Sequence, residues 1–231
     1  QLNRAGHEVT VFERDVEPGG LLMYGIPGFK LDKTILKRRL DQLRAEGVRF
    51  RCNAWVGKDV NAGELEGFDA VLLTTGSTKA RTLDIPGANL DGIHLAMEFL
   101  PQQTRRLLGK VIEGPEISAK GKNVVVIGGG DTGSDCVGTS IRQGAAQVVS
   151  LEIMPRPPLD RDPGTPWPMW PYMLRTSSSH EEGGTRDWSV LTREFIGEAG
   201  KVKQLHCVRV EWAKDASGRM QMQEISGSDF R

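Results

Sequence analysis

A glycine-rich turn between an apolar run and a helical stretch constrains this chain more than any other feature. Residues 123–127, Asn-Val-Val-Val-Ile, form a β-branched run that ends in Gly128-Gly129-Gly130-Asp131-Thr132-Gly133. A helical pattern follows as far as Gly144, which reads as a C-cap. A second strand pattern, residues 147–151, then ends at Glu152. Strand, glycine turn, helix, strand and terminal acid make up the βαβ unit that binds dinucleotides. Gly128 allows the tight turn, Gly130 admits a pyrophosphate to the backbone, and Gly133 lets the helix pack on the strand. The helix N-terminus adds positive potential for phosphate. Asp131 and Thr132 fit either a capping role through their side-chain oxygens or direct contact with the ligand. Glu152 follows the last motif glycine by 19 residues, near the ~20 expected for an acid that accepts ribose hydroxyls. Arg156 suits a 2′-phosphate instead, or is a solvated loop arginine, so NADH and NADPH both stay open at this stage.

The second half of the same unit recurs about 138 residues earlier. Residues 4–6 end a helix tail at Gly6, and residues 7–12 form a strand that ends at Glu13. Setting Gly6 on Gly144 puts the earlier glycine fingerprint ahead of residue 1, so the chain is expected to begin inside a domain. Glu13 then takes the ribose position for an adenine nucleotide. Gly19-Gly20-Leu21-Leu22 follows, either as a surface where a bulky ligand lies against backbone or as a strand-end turn.

Between the two units, residues 34–46 carry Ile35, Leu36, Leu40 and Leu43 at helical spacing, closed by Gly47. Residues 48–52 and 69–73 read as strands, the latter closed by residues 74–77. Residues 84–87 form a turn, and residues 101–121, rich in Pro and Gly, suggest a crossing between domains with some helix. A Pro/Trp loop with Trp167 and Trp170 follows Glu152 and reads as rigid structure, and residues 177–184 are soft and polar. Three strand-like stretches, 189–195, 202–212 and 220–225, predict an antiparallel meander.

Composition excludes several classes. Thirty basic against 30 acidic residues leave no electrostatic footprint for nucleic acid or anionic lipid. Hydrophobic residues at 38% and charged ones at 26% suit a packed core. Gly at 28 of 231 residues exceeds the usual share of ~7%, mostly as pairs and triplets in apolar context. No apolar run reaches the ~20 residues that span a bilayer, and the first residues lack a signal peptide's pattern. Cys52, Cys136 and Cys207 stand 84 and 71 residues apart, which excludes a Cys-x-x-Cys redox pair and a clustered iron–sulfur site within them. They read as reduced, mostly buried thiols of a cytoplasmic protein. His7, His94, His180 and His206 show no ligand spacing and no evident partner carboxylate, although Glu181 follows His180 directly. No metal site and no Ser–His–Asp or Cys–His constellation is expected, and no side chain is read as catalytic.

Four stretches together resemble the small (beta) subunit family of glutamate synthase, within a wider group of pyridine-nucleotide flavin oxidoreductases that includes dihydropyrimidine dehydrogenase. They are residues 19–27 with Phe29-Lys30-Leu31; residues 74–77 with 84–87; residues 128–133 with Asp135-Cys136; and residues 165–171. The resemblance spans nearly the whole chain, and the Trp-Pro-x-Trp-Pro loop narrows it to glutamate synthase. It implies an α/β flavoprotein of two Rossmann-like domains, the first incomplete. Residues 1–110 would bind FAD, and residues 111–231 would bind NAD(P)H and carry the meander. By that likeness Glu13 holds the FAD ribose, Gly20, Leu21 and Leu22 line its pyrophosphate and flavin, Val56 meets the adenine, and Thr75 and Gly76 touch the FAD. Gly128, Gly130, Asp131, Thr132 and Gly133 hold the nicotinamide nucleotide, with hydride passing from nicotinamide to flavin. Electrons would leave through iron–sulfur clusters, expected in an N-terminal region outside this sequence, to a large (alpha) subunit that makes glutamate from glutamine and 2-oxoglutarate. The alternatives are another NAD(P)H-dependent flavin oxidoreductase with a different acceptor, or a nucleotide-binding module without catalysis.

Overall fold

The computed structural model describes residues 1–112 and 114–231. The chain divides into two compact units, one of Gln1–Ala80 with Leu100–Ile112, the other of Arg81–Phe99 with Glu113–Arg231.

In the first unit, β1 (Thr10–Phe12), a π-helical turn over Leu21–Gly25, α1 (Lys33–Ala45) and β2 (Arg49–Arg51) follow in order. Asp32 caps α1, its carboxylate accepting the Thr34 N–H at 2.8 Å. Gly47, at φ +100°, turns the chain out of the helix. The apolar positions at helical spacing meet the π-turn: Leu36 and Leu40 pack with Met23 and Tyr24, and Phe50 of β2 lies against them. β1 and β2 are parallel, with Thr10 opposite Arg49.

Residues 69–73, expected as a strand, form no ladder. Their backbone has no regular structure, and Leu72 and Leu73 are 72% and 77% exposed. An apolar run becomes a strand only where a neighbour supplies hydrogen-bond partners. Among the described residues the β1–β2 sheet stops at two strands.

α2 (Ala96–Leu107) gives residues 96–99 to the second unit and 100–107 to the first. Glu98 accepts the Leu95 N–H at 3.3 Å, a reciprocal cap at the helix start. The helix runs on through Pro101, which lies within the stretch read as a crossing. Glu113, in that same stretch, is outside the described residues.

The second unit is built on β3 (Asn123–Ile127), α3 (Asp131–Arg142) and β4 (Gln147–Glu152), the βαβ order read from the sequence. β3 and β4 are parallel, from Asn123 opposite Gln147 to Ile127 opposite Leu151. A short helix, α4 (Ser178–Glu181), and β5 (Thr185–Trp188) follow, and β5 extends the sheet as a third parallel strand with Glu152 opposite Trp188. β6 (Val190–Glu198), β7 (Lys201–Lys214) and β8 (Met220–Glu224) make the antiparallel meander. The fold is thus α/β and Rossmann-like with an added antiparallel sheet. Residues 81–99 belong to the same compact unit as this meander. Phe195 N–H donates to the Pro86 carbonyl and Asp91 N–H to that of Gly200, each at 2.9 Å. Any Cβ on Gly87 would run into the Phe195 carbonyl, and its φ of +79° also favours glycine.

Asp187 of β5 and Arg209 of β7 are joined by two hydrogen bonds of 2.7 and 2.9 Å, and Arg209 also donates to the Trp188 carbonyl. The Arg209 bond holds the Asp187 carboxyl below its ordinary pKa. Asp187→Asn is expected to lower stability by about 1 kcal/mol, the upper end for a half-exposed pair. In the wild-type chain that contribution is complete above the unfolded-state pKa and fades as pH falls through the depressed folded value. Urea midpoints of both proteins at neutral and acid pH measure it.

All three cysteines are free thiols. Burial, then the Asp135 charge, pushes Cys136 up to about 12, and burial raises Cys52 and Cys207 as well. These are poor nucleophiles. Among the described residues no helix is long and apolar enough to cross a membrane.

Candidate functional site

In the second unit the glycine turn sits where β3 passes into α3. Gly128, at φ +117°, donates its N–H to the Leu151 carbonyl at 2.8 Å, so the turn begins while still tied to β4. Gly130 is the N-cap of α3, at φ −75° and ψ −176°, and its carbonyl accepts the Ser134 N–H. Among the described residues no side chain caps this end, so the capping role weighed for Asp131 and Thr132 is not realised there. Asp131 is instead the first helical residue, and among the described residues the N–H groups of the opening turn have no side-chain acceptor. A Cβ on Gly130 would meet nothing within 4 Å, and the same holds at Gly128. An open, uncapped helix start of this kind suits an anion. Gly133 differs: its Cα lies against the Gly128 carbonyl, with no room for a side chain.

Glu152 stands at the end of β4, beside this turn. One carboxylate oxygen accepts the Gly129 N–H at 2.7 Å and the other accepts the Met154 N–H at 3.1 Å. Arg156 lies with its guanidinium 5.1 Å from the Trp188 ring centre. The structure therefore gathers Gly128, Gly130, Asp131, Thr132, Gly133 and Glu152 at one end of the parallel sheet, with Arg156 against its third strand.

Further contacts were not legible in the sequence. The Ser177 hydroxyl joins Ser134 of α3 to the His180 ring, and a two-bond ion pair ties Arg142 to Glu182, so α4 is fastened along α3. His206 has a carboxylate partner after all: its Nε2 lies 2.8 Å from Asp229, which is 23 residues further along. Sequence spacing carries no signal for such a pair.

In the first unit, Glu13 directly follows β1. Its backbone bonds Arg51 and Ala54, and its carboxylate accepts the Asp15 N–H at 3.0 Å. Val56 lies just beyond, bridged to Val60, next to Trp55, whose ring carries the cations of Arg14 and Lys58. Gly20, at φ +51°, has open space where a Cβ would stand. Leu21 and Leu22 begin the π-turn and are exposed, while Met23 and Tyr24 face the core. Lys33 Nζ holds this turn by donating to the Leu22 and Ile26 carbonyls at 2.7 and 2.5 Å. Thr75 and Gly76 are exposed, and among the described residues no hydrogen bond links them to Glu13 or to the π-turn.

The family model described as pyridine nucleotide-disulphide oxidoreductase matches residues 1–163. Over its full length the chain is 52% identical to the glutamate synthase [NADPH] small chain of Mycobacterium tuberculosis, of which it covers 47%. It is 47% identical, over 99% of its length, to the glutamate synthase [NADH] of Saccharomyces cerevisiae, covering 11% of that protein. The chain spans about half the length of the curated small chain it matches. Among solved structures, Mycobacterium tuberculosis FprA in complex with NADPH superposes with a TM-score of 0.70 at 21% identity, over 96% of this chain and 61% of that one. That likeness shows the fold.

Proposed function

This chain belongs to the pyridine nucleotide-disulphide oxidoreductase family, and from that premise we propose that it is the FAD- and NAD(P)H-binding part of a glutamate synthase small subunit. The observation that carries the reading is the open, uncapped start of α3 at Gly130, beside an acid at the end of β4. Backbone N–H groups of residues 130–133 receive the nicotinamide nucleotide's pyrophosphate there, with Gly128 shaping the turn. Glu152 and Arg156 face the adenosine ribose, and relatives named for NADPH and for NADH leave its 2′ substituent open.

In the first unit, Glu13 takes the ribose of FAD, and Val56 meets its adenine. Gly20, without a side chain, lets the pyrophosphate approach, and exposed Leu21 and Leu22 offer an apolar surface to the flavin. Thr75 and Gly76 complete that contact. When bound, the two cofactors supply the redox chemistry, a hydride donor and its acceptor. The protein's own part is to bind and orient, and no side chain has to act as acid or base. In the whole enzyme, cytoplasmic on this reading, iron–sulfur clusters held by other residues would supply the onward electron path to a large subunit that makes glutamate from glutamine and 2-oxoglutarate.

The test is an anaerobic titration of the flavin-loaded, full-length subunit. The visible flavin absorbance is expected to bleach on adding NAD(P)H. Glutamine plus 2-oxoglutarate should restore it only when the large subunit is present. Recovery with those substrates in its absence, or no bleaching at all, would overturn the reading.

A further inference from the structure

Arg105, on the part of α2 that belongs to the first unit, reaches two separate pieces of that unit. Its guanidinium donates to the Asp15 carboxylate at 2.8 Å and lies 4.6 Å from the Tyr24 ring centre. Asp15 stands two residues after Glu13 and gives its own N–H to the Glu13 carboxylate, while its carbonyl accepts the Asn53 N–H at 3.0 Å. Tyr24 lies inside the π-turn, two residues after Leu22, and is only 5% exposed. One side chain thus ties the loop that aims Glu13 to the turn that presents Leu21 and Leu22. Lys110 adds a second tie to the same loop, with its Nζ 2.6 Å from Glu17.

The core does not call for this arrangement. Tyr24 already packs with Met23, Leu36 and Leu40, and Lys33 already holds the carbonyls of the turn. A half-exposed ion pair adds little to stability, so what Arg105 chiefly supplies is position. The charges converge on one ring: burial, then Glu17 and Asp15, raise the Tyr24 pKa, and Arg105 and Lys110 oppose them. Arginine suits such a junction, because a planar guanidinium can bond a carboxylate along its edge while its face meets an aromatic ring.

Resting on the FAD reading of the first unit, we propose that Arg105 is a positioning residue. Through Asp15 and Tyr24 it sets the spacing between the ribose end of the FAD site, at Glu13, and the flavin end, at Leu21 and Leu22. FAD is a two-headed ligand. Once one head is held, the other meets its own subsite at a high effective concentration, provided that the two subsites stand the ligand's length apart. The spacing therefore decides how far FAD binds more tightly than either of its halves.

The experiment uses the full-length subunit stripped of flavin. FAD binding is followed by flavin fluorescence, with ADP and FMN as competitors for the two ends. Arg105→Gln should lower FAD affinity at least tenfold, while the ADP and FMN competition constants stay within about threefold of the wild type. Arg105→Lys should recover only part of that loss, since an ammonium cannot serve both partners at once. Asp15→Ala keeps the backbone N–H that Glu13 accepts and removes only the ion pair. It should show the same pattern, and it keeps the test valid if Arg105→Gln unfolds. FAD affinity unchanged in these variants, or a loss shared in full by ADP or FMN, would overturn the spacing role and leave the FAD site standing. No FAD binding by the wild-type subunit would overturn the FAD site itself, and this inference with it.

Discussion

Gly130→Val is expected to weaken NAD(P)H binding by at least about 100-fold while the chain stays folded, a loss of roughly 2.7 kcal/mol or more. The backbone at Gly130 is extended, with φ −75° and ψ −176°, which valine adopts readily. Its Cβ would meet nothing within 4 Å, so the protein alone does not object to a side chain there. The remaining cost to folding is the difference between glycine and a branched residue at an N-cap, about 1 kcal/mol. What the valine fills is the space where the pyrophosphate approaches the N–H groups of α3. Titration and a thermal melt on the same sample separate the two effects. Affinity kept at the wild-type level would place the pyrophosphate elsewhere.

Gly133→Ala should do the reverse, damaging the fold first. A Cβ at this position would overlap the Gly128 carbonyl oxygen, stand 3.0 Å from its carbon and come within 3.6 Å of Val126 Cγ1. The obstructing atoms are chiefly backbone, so no rotamer change relieves the overlap, and α3 must move away from β3. Overpacking of this kind costs about 3 kcal/mol in a close-packed interior. A urea midpoint that falls at unchanged m-value is the expected result. An alanine variant as stable as the wild type would show that the third glycine does not set the helix–strand approach. On the proposed reading two glycines three residues apart divide the work, one serving the ligand and the other the packing.

The strand–turn–helix–strand order around these glycines was legible in the sequence because its signals are local. The β-branched run, the glycine spacing and the acid at strand end fix β3, α3 and β4 closely to the residues expected. β5 was not legible: Thr-Arg-Asp-Trp has no apolar alternation, and its strand form comes from pairing with β4, far away along the chain. Residues 69–73 show the opposite failure, since Val71, Leu72 and Leu73 carry strand propensity but find no ladder to join. Residues 101–121 suggested a crossing with some helix; α2 supplies that helix and continues through Pro101, with Phe99 and Leu100 buried. In the site, Gly128 to Glu152 could be named from spacing alone. The Arg156–Trp188 contact and the Asp229 partner of His206 could not, because each depends on side chains that only the tertiary fold brings together.

If the start of α3 receives the nucleotide, amide chemical shifts of the 15N-labelled chain will report it on addition of NADPH. The largest changes should fall on Gly129, Gly130, Asp131 and Thr132, with the Trp188 indole N–H moving alongside them. Changes confined to the far end of α3 and β4, around Ile141, Gln147 and Glu182, with the Gly130 amide unmoved, would contradict it.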